Sequence, residues 1–292
     1  MTIAMNKIKN ITFIGMGLIN SSLARSLKKK KFYEYAIAIS RRKSTIQKIQ
    51  ELKIVDHVEI NYKKAVKNAD LIIIGIPVNA YVEVLEKIKD YLKPGVILTD
   101  VGSVKRNIIK EVNKKLPNTV SFIPGHPIAG TENSGPEAGF DGLFKGGWCI
   151  LTPEKNCDKK ALKLVKNMWL QVGMKVDIMD SLHHDMVLAI TSHIPHIIAY
   201  SIVGTVANLE KSLKREVIKY AASGFRDFTR IAASDPVMWR DILIMNKNSI
   251  LQMLEIFKND LQQLENAIKR NDGKYLLSLF SNTRKIRKDI IK

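Results

Sequence analysis

Apolar runs alternate with helical patterns along the first 180 residues of the chain. Near-continuous apolar runs are typical of parallel strands buried on both faces, and the periodicity of the intervening segments is typical of helices. This alternation predicts a doubly wound α/β domain that binds its ligands at the carboxyl ends of the strands. The runs cover residues 11–14, 36–39, 71–77, 96–100 and 120–123.

The pattern changes after residue 150. Thr152-Pro153-Glu154 marks a break, one more helix and a short strand near residues 175–179 complete the first part, and from Ser181 the chain is helix-periodic. We therefore predict two domains, residues 1–180 and 181–292, of which the second is all-helical. By analogy with other folds of this plan, the helical domain is expected to supply a wall of the substrate site and a dimer interface.

A glycine-rich turn follows the first apolar run. Gly15-Met16-Gly17-Leu18-Ile19 joins this run to a helical pattern, as at the start of a Rossmann-type dinucleotide-binding domain. Gly15 permits the tight turn, and Gly17 lets the backbone approach a pyrophosphate at the helix N-terminus. Asn20 occupies the position of the usual third glycine. Gly15, Gly17, Leu18 and Ile19 are thus candidates for cofactor binding, and a plain glycine turn is the alternative.

Basic residues follow the second run, where an NAD-binding domain would carry an acid. The chain reads Ser40-Arg41-Arg42 at this point. An acid would accept hydrogen bonds from the ribose and repel a 2′-phosphate, whereas a hydroxyl and two guanidinium groups would bind that phosphate. We predict that NADP is favoured over NAD. A basic surface loop is the alternative interpretation.

Residues after the later runs complete the candidate site. Ile76 and Pro77 end one run, Ser103 follows the next, and His126 stands between Gly125 and Gly130 after the last. Glycine flanks allow a ligand to approach closely, and histidine exchanges a proton near neutral pH. His126 is therefore a catalytic candidate. A hydrogen-bonded histidine in a turn is the alternative.

The helical half carries a second polar cluster. His183-His184-Asp185 is followed by His193 and His196. We predict no metal site, because the pattern is not H-E-x-x-H and Pro195 disturbs the helix geometry that paired ligands need. One histidine is expected to line a pocket, and the others to be surface or structural residues.

Arg230 is a second polar candidate in the helical half. A guanidinium binds a carboxylate through two parallel hydrogen bonds, so Arg230 is a candidate for holding an anionic substrate. A surface salt bridge is the alternative.

Composition narrows the class of protein. The 292 residues are 46% hydrophobic, carry a net charge of +19 and include two cysteines, too few for a disulfide framework or a zinc knuckle. The lysines are scattered and no nucleic-acid-binding motif is present, so we interpret the charge as solvated surface that steers small anions. We expect no membrane partner, because no apolar run approaches the length of a span, and a cytoplasmic location, because residues 1–10 lack a signal-peptide core.

Taken together, these motifs resemble those of the prephenate/arogenate (cyclohexadienyl) dehydrogenase family of tyrosine biosynthesis, and the resemblance covers essentially the whole chain. The resemblance departs from the family pattern at Asn20 and at Ser40-Arg41-Arg42, and the second departure bears on the choice of cofactor. Beside the glycine turn, it rests on the ordered blocks 100–105, 125–132, 192–196, 224–230 and 235–240.

The resemblance implies oxidative decarboxylation of prephenate to 4-hydroxyphenylpyruvate, or of arogenate to tyrosine, with hydride transfer to NAD(P)⁺. It implies that His126 draws off the hydroxyl proton of the substrate and that Arg230 holds the ring carboxylate. Ser103 would orient His126 and touch both substrate and nicotinamide, and it is also a possible N-cap of the following helix.

Further residues of the substrate pocket follow from the same resemblance. His196 and Thr131 would line the pocket, and Glu132 and Asp185 would tune access or histidine charge. Trp239 would approach the site of a partner subunit, because the helical half forms the homodimer in this family. Asp227, within the block that contains Arg230, is a further candidate for substrate binding.

Two other functions stay open. Another NAD(P)-dependent hydroxyacid dehydrogenase is expected to place a catalytic lysine or a different histidine on the helical half. A non-catalytic NADP-binding sensor would leave His126, Ser103 and Arg230 without a common purpose. An assay for NADPH formation with prephenate distinguishes all three. Prephenate and arogenate stay as alternative substrates, since they differ only in a keto or amino group.

Overall fold

The computed structural model describes residues 8–131 and 133–290. The first part is built on a six-stranded sheet in the order β3-β2-β1-β4-β5-β6, in which all neighbouring strands are parallel. The predicted Rossmann-type fold is confirmed, and the strand order reverses between β1 and β4, where such sheets bind ligands. The strands are β1 (Ile8–Ile14), β2 (Tyr33–Ile39), β3 (His57–Glu59), β4 (Leu71–Ile74), β5 (Ile97–Asp100) and β6 (Ser121–Ile123).

Apolar clusters lie on both faces of this sheet, as its continuous apolar runs require. In β4, Leu71 and Ile73 belong to one cluster and Ile72 and Ile74 to the other, because successive side chains of a strand point to opposite faces. All four are fully buried. The helices of the first part are α1 (Leu18–Lys29), α2 (Lys43–Glu51), α3 (Tyr62–Val66), α4 (Tyr81–Ile88), α5 (Arg106–Asn113) and α6 (Lys159–Gln171).

A second sheet of three strands continues the first part. Strand β7 (Gly125–Ile128) pairs antiparallel with β8 (Trp148–Leu151), which pairs parallel with β9 (Lys175–Ile178). His126 is paired in register with Ile150. It therefore lies in a strand, and the alternative that places it in a turn is wrong.

From Ser181 the chain is helical, as predicted. Helix α7 (Ser181–Leu188) runs through a π-helical segment (Ala189–His193) into α8 (Ile194–Ala207). Pro195 lies at the beginning of α8, directly after the π-helical segment, so it modifies the helix without ending it. The remaining helices are α9 (Lys211–Tyr220), α10 (Ser223–Thr229), α11 (Pro236–Met245), α12 (Lys247–Lys269) and α13 (Gly273–Ile290).

The helix from Ser181 to Ala207 is 27 residues long and is apolar enough to cross a membrane by length and composition alone. The expectation that no apolar stretch reaches such a length is therefore wrong. Three polar side chains on this helix, those of His184, Asp185 and His193, are buried and hydrogen-bonded to neighbouring groups. These contacts join the helix to β7 through His126 and to the helical half through Asn246, while 28% of its apolar stretch is buried.

The two halves pack at the carboxyl edge of the large sheet. Val104, just after β5, forms a small apolar cluster with Trp239 and Ile242 of α11. The Asn107 side-chain amide donates a hydrogen bond to the backbone carbonyl of Met245. The helical half is therefore fixed against the edge at which ligands are expected to bind.

Candidate active site

The glycine turn after β1 has the geometry that a nucleotide site needs. Gly15 has φ +83°, and a Cβ atom there would lie 2.4 Å from the Gly75 carbonyl oxygen, so only glycine fits. Asn20 fills the place of the absent third glycine and donates a hydrogen bond from Nδ2 to the Gly15 carbonyl oxygen at 2.7 Å. The departure at Asn20 thus fastens the turn to the helix that follows it.

The N-terminus of α1 is open toward the crevice. Gly17 is the N-cap residue and has no side chain that could cap the helix. A Cβ atom added there would meet nothing within 4 Å, so the space in front of the helix is open. Leu18 is buried and Ile19 half-buried beside it. Free backbone N–H groups and the helix dipole favour an anion at such an end, so the residues present fit the pyrophosphate of a dinucleotide.

The basic loop after β2 lies at the surface. Ser40 is half-buried, whereas Arg41 and Arg42 are exposed. An acid that sequence reasoning did not include approaches from α4: Glu83 Oε1 lies 3.8 Å from a terminal nitrogen of Arg41. Such an exposed pair is weak, so it leaves Arg41 available to a phosphate.

Ile76, Pro77 and Ser103 follow the ends of β4 and β5, as predicted. Ile76 and Ser103 are half-buried and Pro77 is exposed. Ser103 does not cap the next helix, because α5 begins at Arg106 and its N-cap is Lys105. Among the described residues, Ser103 makes no hydrogen bond to His126, so its expected role in orienting that histidine is not what this structure shows.

Asp100, at the end of β5, fixes the backbone on which His126 stands. Its carboxylate is fully buried and accepts hydrogen bonds from the Tyr81 hydroxyl, from the backbone N–H of Gly102 and from that of Gly125, each at 3.0 Å. It also pairs with the Lys105 ammonium group. The residue before His126 is therefore tied directly to the large sheet.

Lys105 completes this buried pair. Its ammonium group has no exposed surface and donates a second hydrogen bond to the Gly125 carbonyl oxygen at 2.7 Å. Burial lowers the pKa of Lys105, and the charge of Asp100 opposes this shift. This pair was not among the candidates predicted from the sequence, although Asp100 and Lys105 are the first and last residues of the block 100–105, on which the resemblance rests.

His126 is connected to the helical half by a chain of hydrogen bonds. Its Nδ1 lies 2.9 Å from Nε2 of His184, and Nδ1 of His184 lies 2.8 Å from Oδ1 of Asp185. Asp185 also accepts hydrogen bonds from the backbone N–H groups of Lys105 and Arg106 at 2.9 and 3.0 Å, so it caps α5. The oxygens of Asp185 thus hold protein groups, and the described group within hydrogen-bond distance of His126 Nδ1 is the imidazole of His184.

Burial favours the neutral forms of the histidines in this cluster. Burial lowers the pKa of His126 well below its usual range, and the charges of His184, Lys105 and His193 add to the effect. Burial likewise lowers the pKa of His184, against the opposing effect of its hydrogen bond to Asp185, and lowers the pKa of His193 to about 4. A neutral imidazole can accept a proton, which is what a general base requires.

His196, Trp239 and Arg230 form the other side of the candidate site. The rings of His196 and Trp239 stack with centroids 3.6 Å apart in the same chain, so Trp239 has a partner here without a second subunit. Burial lowers the pKa of His196, and the charge of Arg230 contributes, so this guanidinium lies nearby. Arg230 itself is exposed and, among the described residues, forms no ion pair.

Two further candidates, Thr131 and Asp227, are exposed in this structure. The Thr131 hydroxyl is exposed and accepts a hydrogen bond from the backbone N–H of Asn133 at 3.2 Å. Asp227 is exposed on α10. Glu132 lies outside the described residues. His183 is exposed, and no group of three metal-ligating side chains converges within residues 8–131 and 133–290.

Comparison with known proteins identifies the family. Residues 23–178 match the model of the prephenate dehydrogenase nucleotide-binding domain, and residues 180–282 match that of the prephenate dehydrogenase dimerization domain. The chain belongs to the prephenate dehydrogenase family. It is 40% identical to the cyclohexadienyl dehydrogenase of Zymomonas mobilis over 97% of this chain and 96% of that protein. It is 33% identical to the prephenate dehydrogenase of Bacillus subtilis over 97% of this chain and 76% of that one.

Solved structures of relatives share the whole architecture. Prephenate dehydrogenase of Aquifex aeolicus, in complex with hydroxyphenyl propionate and NAD⁺, superposes with a TM-score of 0.91 at 34% identity over 99% of this chain and 100% of that one. Arogenate dehydrogenase of Synechocystis superposes with a TM-score of 0.82 at 28% identity, over 96% and 99% of the two chains. The similarity thus includes both halves of the molecule.

Proposed function

We propose that this member of the prephenate dehydrogenase family catalyses the oxidative decarboxylation of prephenate or arogenate, with His126 as the base. The family assignment makes the chain an enzyme, a nicotinamide-dependent dehydrogenase. The observation that carries the assignment of the base is the position of His126: buried, neutral, tied to the sheet through Gly125 and linked to the helical half through His184.

The reaction can be balanced from the structure of the substrate. The ring carbon that bears the hydroxyl group gives up hydride, the bond to the ring carboxylate breaks, and CO₂ leaves its electron pair in the ring, which becomes aromatic. When bound, the nicotinamide ring supplies the hydride acceptor. The hydroxyl proton, drawn toward Nε2 of His126 as carbonyl character develops, returns to the phenol oxygen of the product, so no net proton is released.

The protein contributes orientation and one proton acceptor. Aromatisation makes the reaction strongly downhill, so holding the hydroxyl group against a neutral imidazole lowers the remaining barrier. Arg230 supports binding of the ring carboxylate, since it is exposed beside His196 and forms no ion pair among the described residues. A tight pair would stabilise the carboxylate that must leave, so binding and catalysis oppose each other at this residue.

NADP is the cofactor that the loop after β2 supports better than NAD. Ser40 is followed by two exposed guanidinium groups, and no acid stands at the end of β2. Charge-assisted hydrogen bonds to a 2′-phosphate would be available from both arginines. The Aquifex aeolicus relative was solved with NAD⁺, so this preference would distinguish the present chain from it.

A homodimer is supported by the apolar surface of the helical half. Exposed large apolar side chains recur along its two longest helices, as expected of helices that pack against a partner. The family model for this half is named a dimerization domain. The exposed apolar side chains of these helices include Leu251, Ile256, Leu261 and Ile268 of α12, and Leu277, Phe280 and Ile286 of α13.

A cytoplasmic location and the absence of nucleic-acid and membrane partners stay predictions from composition.

A matrix of two substrates against two cofactors tests the proposed function. NADPH or NADH formation is followed at 340 nm with prephenate or arogenate, and kcat/KM is compared for the four pairs. We expect activity with NADP for at least one of the two substrates and release of one CO₂ per reduced cofactor. Reduction of cofactor without CO₂ release, or activity only with simple hydroxy acids, would contradict the proposal.

A further inference from the structure

His126 and His184 come from different halves of the molecule and meet through one hydrogen bond. His126 lies on β7, and His184 and Asp185 lie on α7. All three side chains are buried, His184 completely. The chain from His126 Nδ1 to His184 Nε2, and from His184 Nδ1 to Asp185 Oδ1, has both links at hydrogen-bond distance, 2.9 and 2.8 Å.

The direction of these bonds follows from the acceptor at the end. A carboxylate only accepts, so Nδ1 of His184 carries the proton and donates to Asp185. The neutral His184 then has its lone pair on Nε2, which accepts from Nδ1–H of His126. Neutral His126 therefore has its lone pair on Nε2, and no described residue makes a hydrogen bond to that atom.

We infer that His184 and Asp185 form a positioning relay that sets the tautomer of His126 and stabilises its protonated form. The inference rests on the proposed function, since it deepens the role of His126 in that reaction. His184 touches neither substrate nor cofactor in this scheme and acts only through His126. The arrangement needs both halves of the chain, because His126 belongs to the first half, whereas His184 and Asp185 belong to the helical half that packs against it.

A second property of Asp185 makes the relay rigid. Its two oxygens are also held by the backbone N–H groups of Lys105 and Arg106 at the start of α5. The carboxylate therefore cannot turn away from His184 without uncapping a helix. For the same reason a change at Asp185 would mix a structural effect with a chemical one, so His184 is the better residue to vary.

Several charged or titratable groups surround His126 and enter any account of its pH dependence. Lys105 lowers its proton affinity, as do His184 and His193 when charged. Asp100 neutralises Lys105, and Asp185 pairs with His184. The groups around His126 are thus Asp100 at the end of β5, Lys105 just after that strand, Cys149 on β8, His184 and Asp185 on α7, and His193 on the π-helical segment.

Two substitutions at His184 separate tautomer control from charge stabilisation. In His184→Gln the side-chain amide oxygen still accepts from Nδ1–H of His126, whereas His184→Leu removes the acceptor. We expect kcat to fall about tenfold in the first variant and on the order of 10²–10³-fold in the second, with both KM values within about threefold of wild type. His183→Gln, the same change at the exposed neighbouring residue, is the control and should leave kcat unchanged.

Two readouts distinguish a relay from a structural role. The acidic limb of the kcat/KM profile should move to lower pH in His184→Leu, because His126 loses the acceptor that stabilises its protonated form, and should move less in His184→Gln, which keeps an acceptor. The ¹⁵N shifts of His126 in the protein without ligands should show Nδ1 protonated in wild type and His184→Gln, and a shift toward the Nε2-protonated form in His184→Leu.

The two readouts also separate this inference from the proposed function. The ¹⁵N measurement needs no substrate, so a tautomer change in His184→Leu supports the relay even if the substrate proposal fails. Loss of kcat with an unmoved acidic limb and an unchanged His126 tautomer would overturn the relay. Wild-type kcat in His184→Leu would overturn it as well.

Discussion

At the residue scale, the histidines of this chain differ in exposure and in pKa according to their surroundings. His183 is exposed on the first turn of α7, whereas its neighbour His184 is fully buried between His126 and Asp185. Burial lowers the pKa of His126, His184 and His193, because it disfavours the charged imidazolium. Environment thus selects which histidine can act as a base at neutral pH.

His126→Asn tests the base. Asparagine keeps a polar side chain of similar size but accepts no proton, so kcat should fall by about 10²–10⁴-fold while the KM for cofactor stays close to wild type. Steady-state kinetics from pH 5 to 9 should also show that the acidic limb of the profile is lost. Wild-type kcat at every pH would show that another group is the base.

The sequence identified His126 but not its partner, for a physical reason. His126 stands between glycines after an apolar run, and this is a local signal. His184 is one of two adjacent histidines, and which of them is buried depends on the rotation of α7 about its axis. That rotation is determined by packing against Lys105 and Arg106, about 80 residues earlier in the chain.

At the element scale, the sequence predicts the strands of the large sheet, but it does not predict the hydrogen bonds that join the edge of this sheet to the helical half. Runs such as Leu71–Ile74 are apolar because both faces of the strand are buried, so periodicity alone predicts them. The cap of α5 is different. Local pattern suggested Ser103, whereas the structure uses Asp185 from another helix, an interaction without a local signature.

The prediction on cofactor choice concerns the loop of residues 40–42, which joins β2 to α2. Ser40→Asp combined with Arg41→Ala and Arg42→Ala should shift the preference from NADP toward NAD. The new carboxylate would accept from the ribose hydroxyls, and each lost charge-assisted contact should cost roughly 1.5–3 kcal/mol of NADP affinity.

The measurement is the ratio of kcat/KM for NADP to that for NAD. Lys43→Ala with Lys48→Ala, two exposed cations of the same helix, is the matched control and should change the ratio by less than about threefold. If the wild-type protein already has the higher kcat/KM with NAD, the arginines are solvated surface residues and the preference for NADP is wrong.

At the scale of the whole molecule, the buried histidines link stability to pH because they lie where the two halves pack. Their pKa values in the unfolded chain lie near 6.5, and the folded chain lowers them, that of His193 to about 4. Below pH 6.5 the unfolded chain therefore binds more protons than the folded one. The sign is unambiguous: stability is complete above pH 6.5 and is lost as the pH falls below it.

We therefore expect the free energy of unfolding to fall between pH 7 and pH 5, by up to about 1.4 kcal/mol per pH unit for each histidine that is kept neutral, and the urea midpoint to fall with it. This window lies above the range in which carboxylates such as Glu86, whose pKa is about 2, begin to lose their contributions. The measurement is a series of urea titrations in buffers of equal ionic strength. His184→Gln removes one of the buried imidazoles and should reduce the slope, whereas His183→Gln, at the exposed neighbouring site, should leave it unchanged. A midpoint that stays constant or rises as the pH falls from 7 to 5 would show that folding does not lower the pKa of these histidines, and would contradict the neutral form assigned to His126.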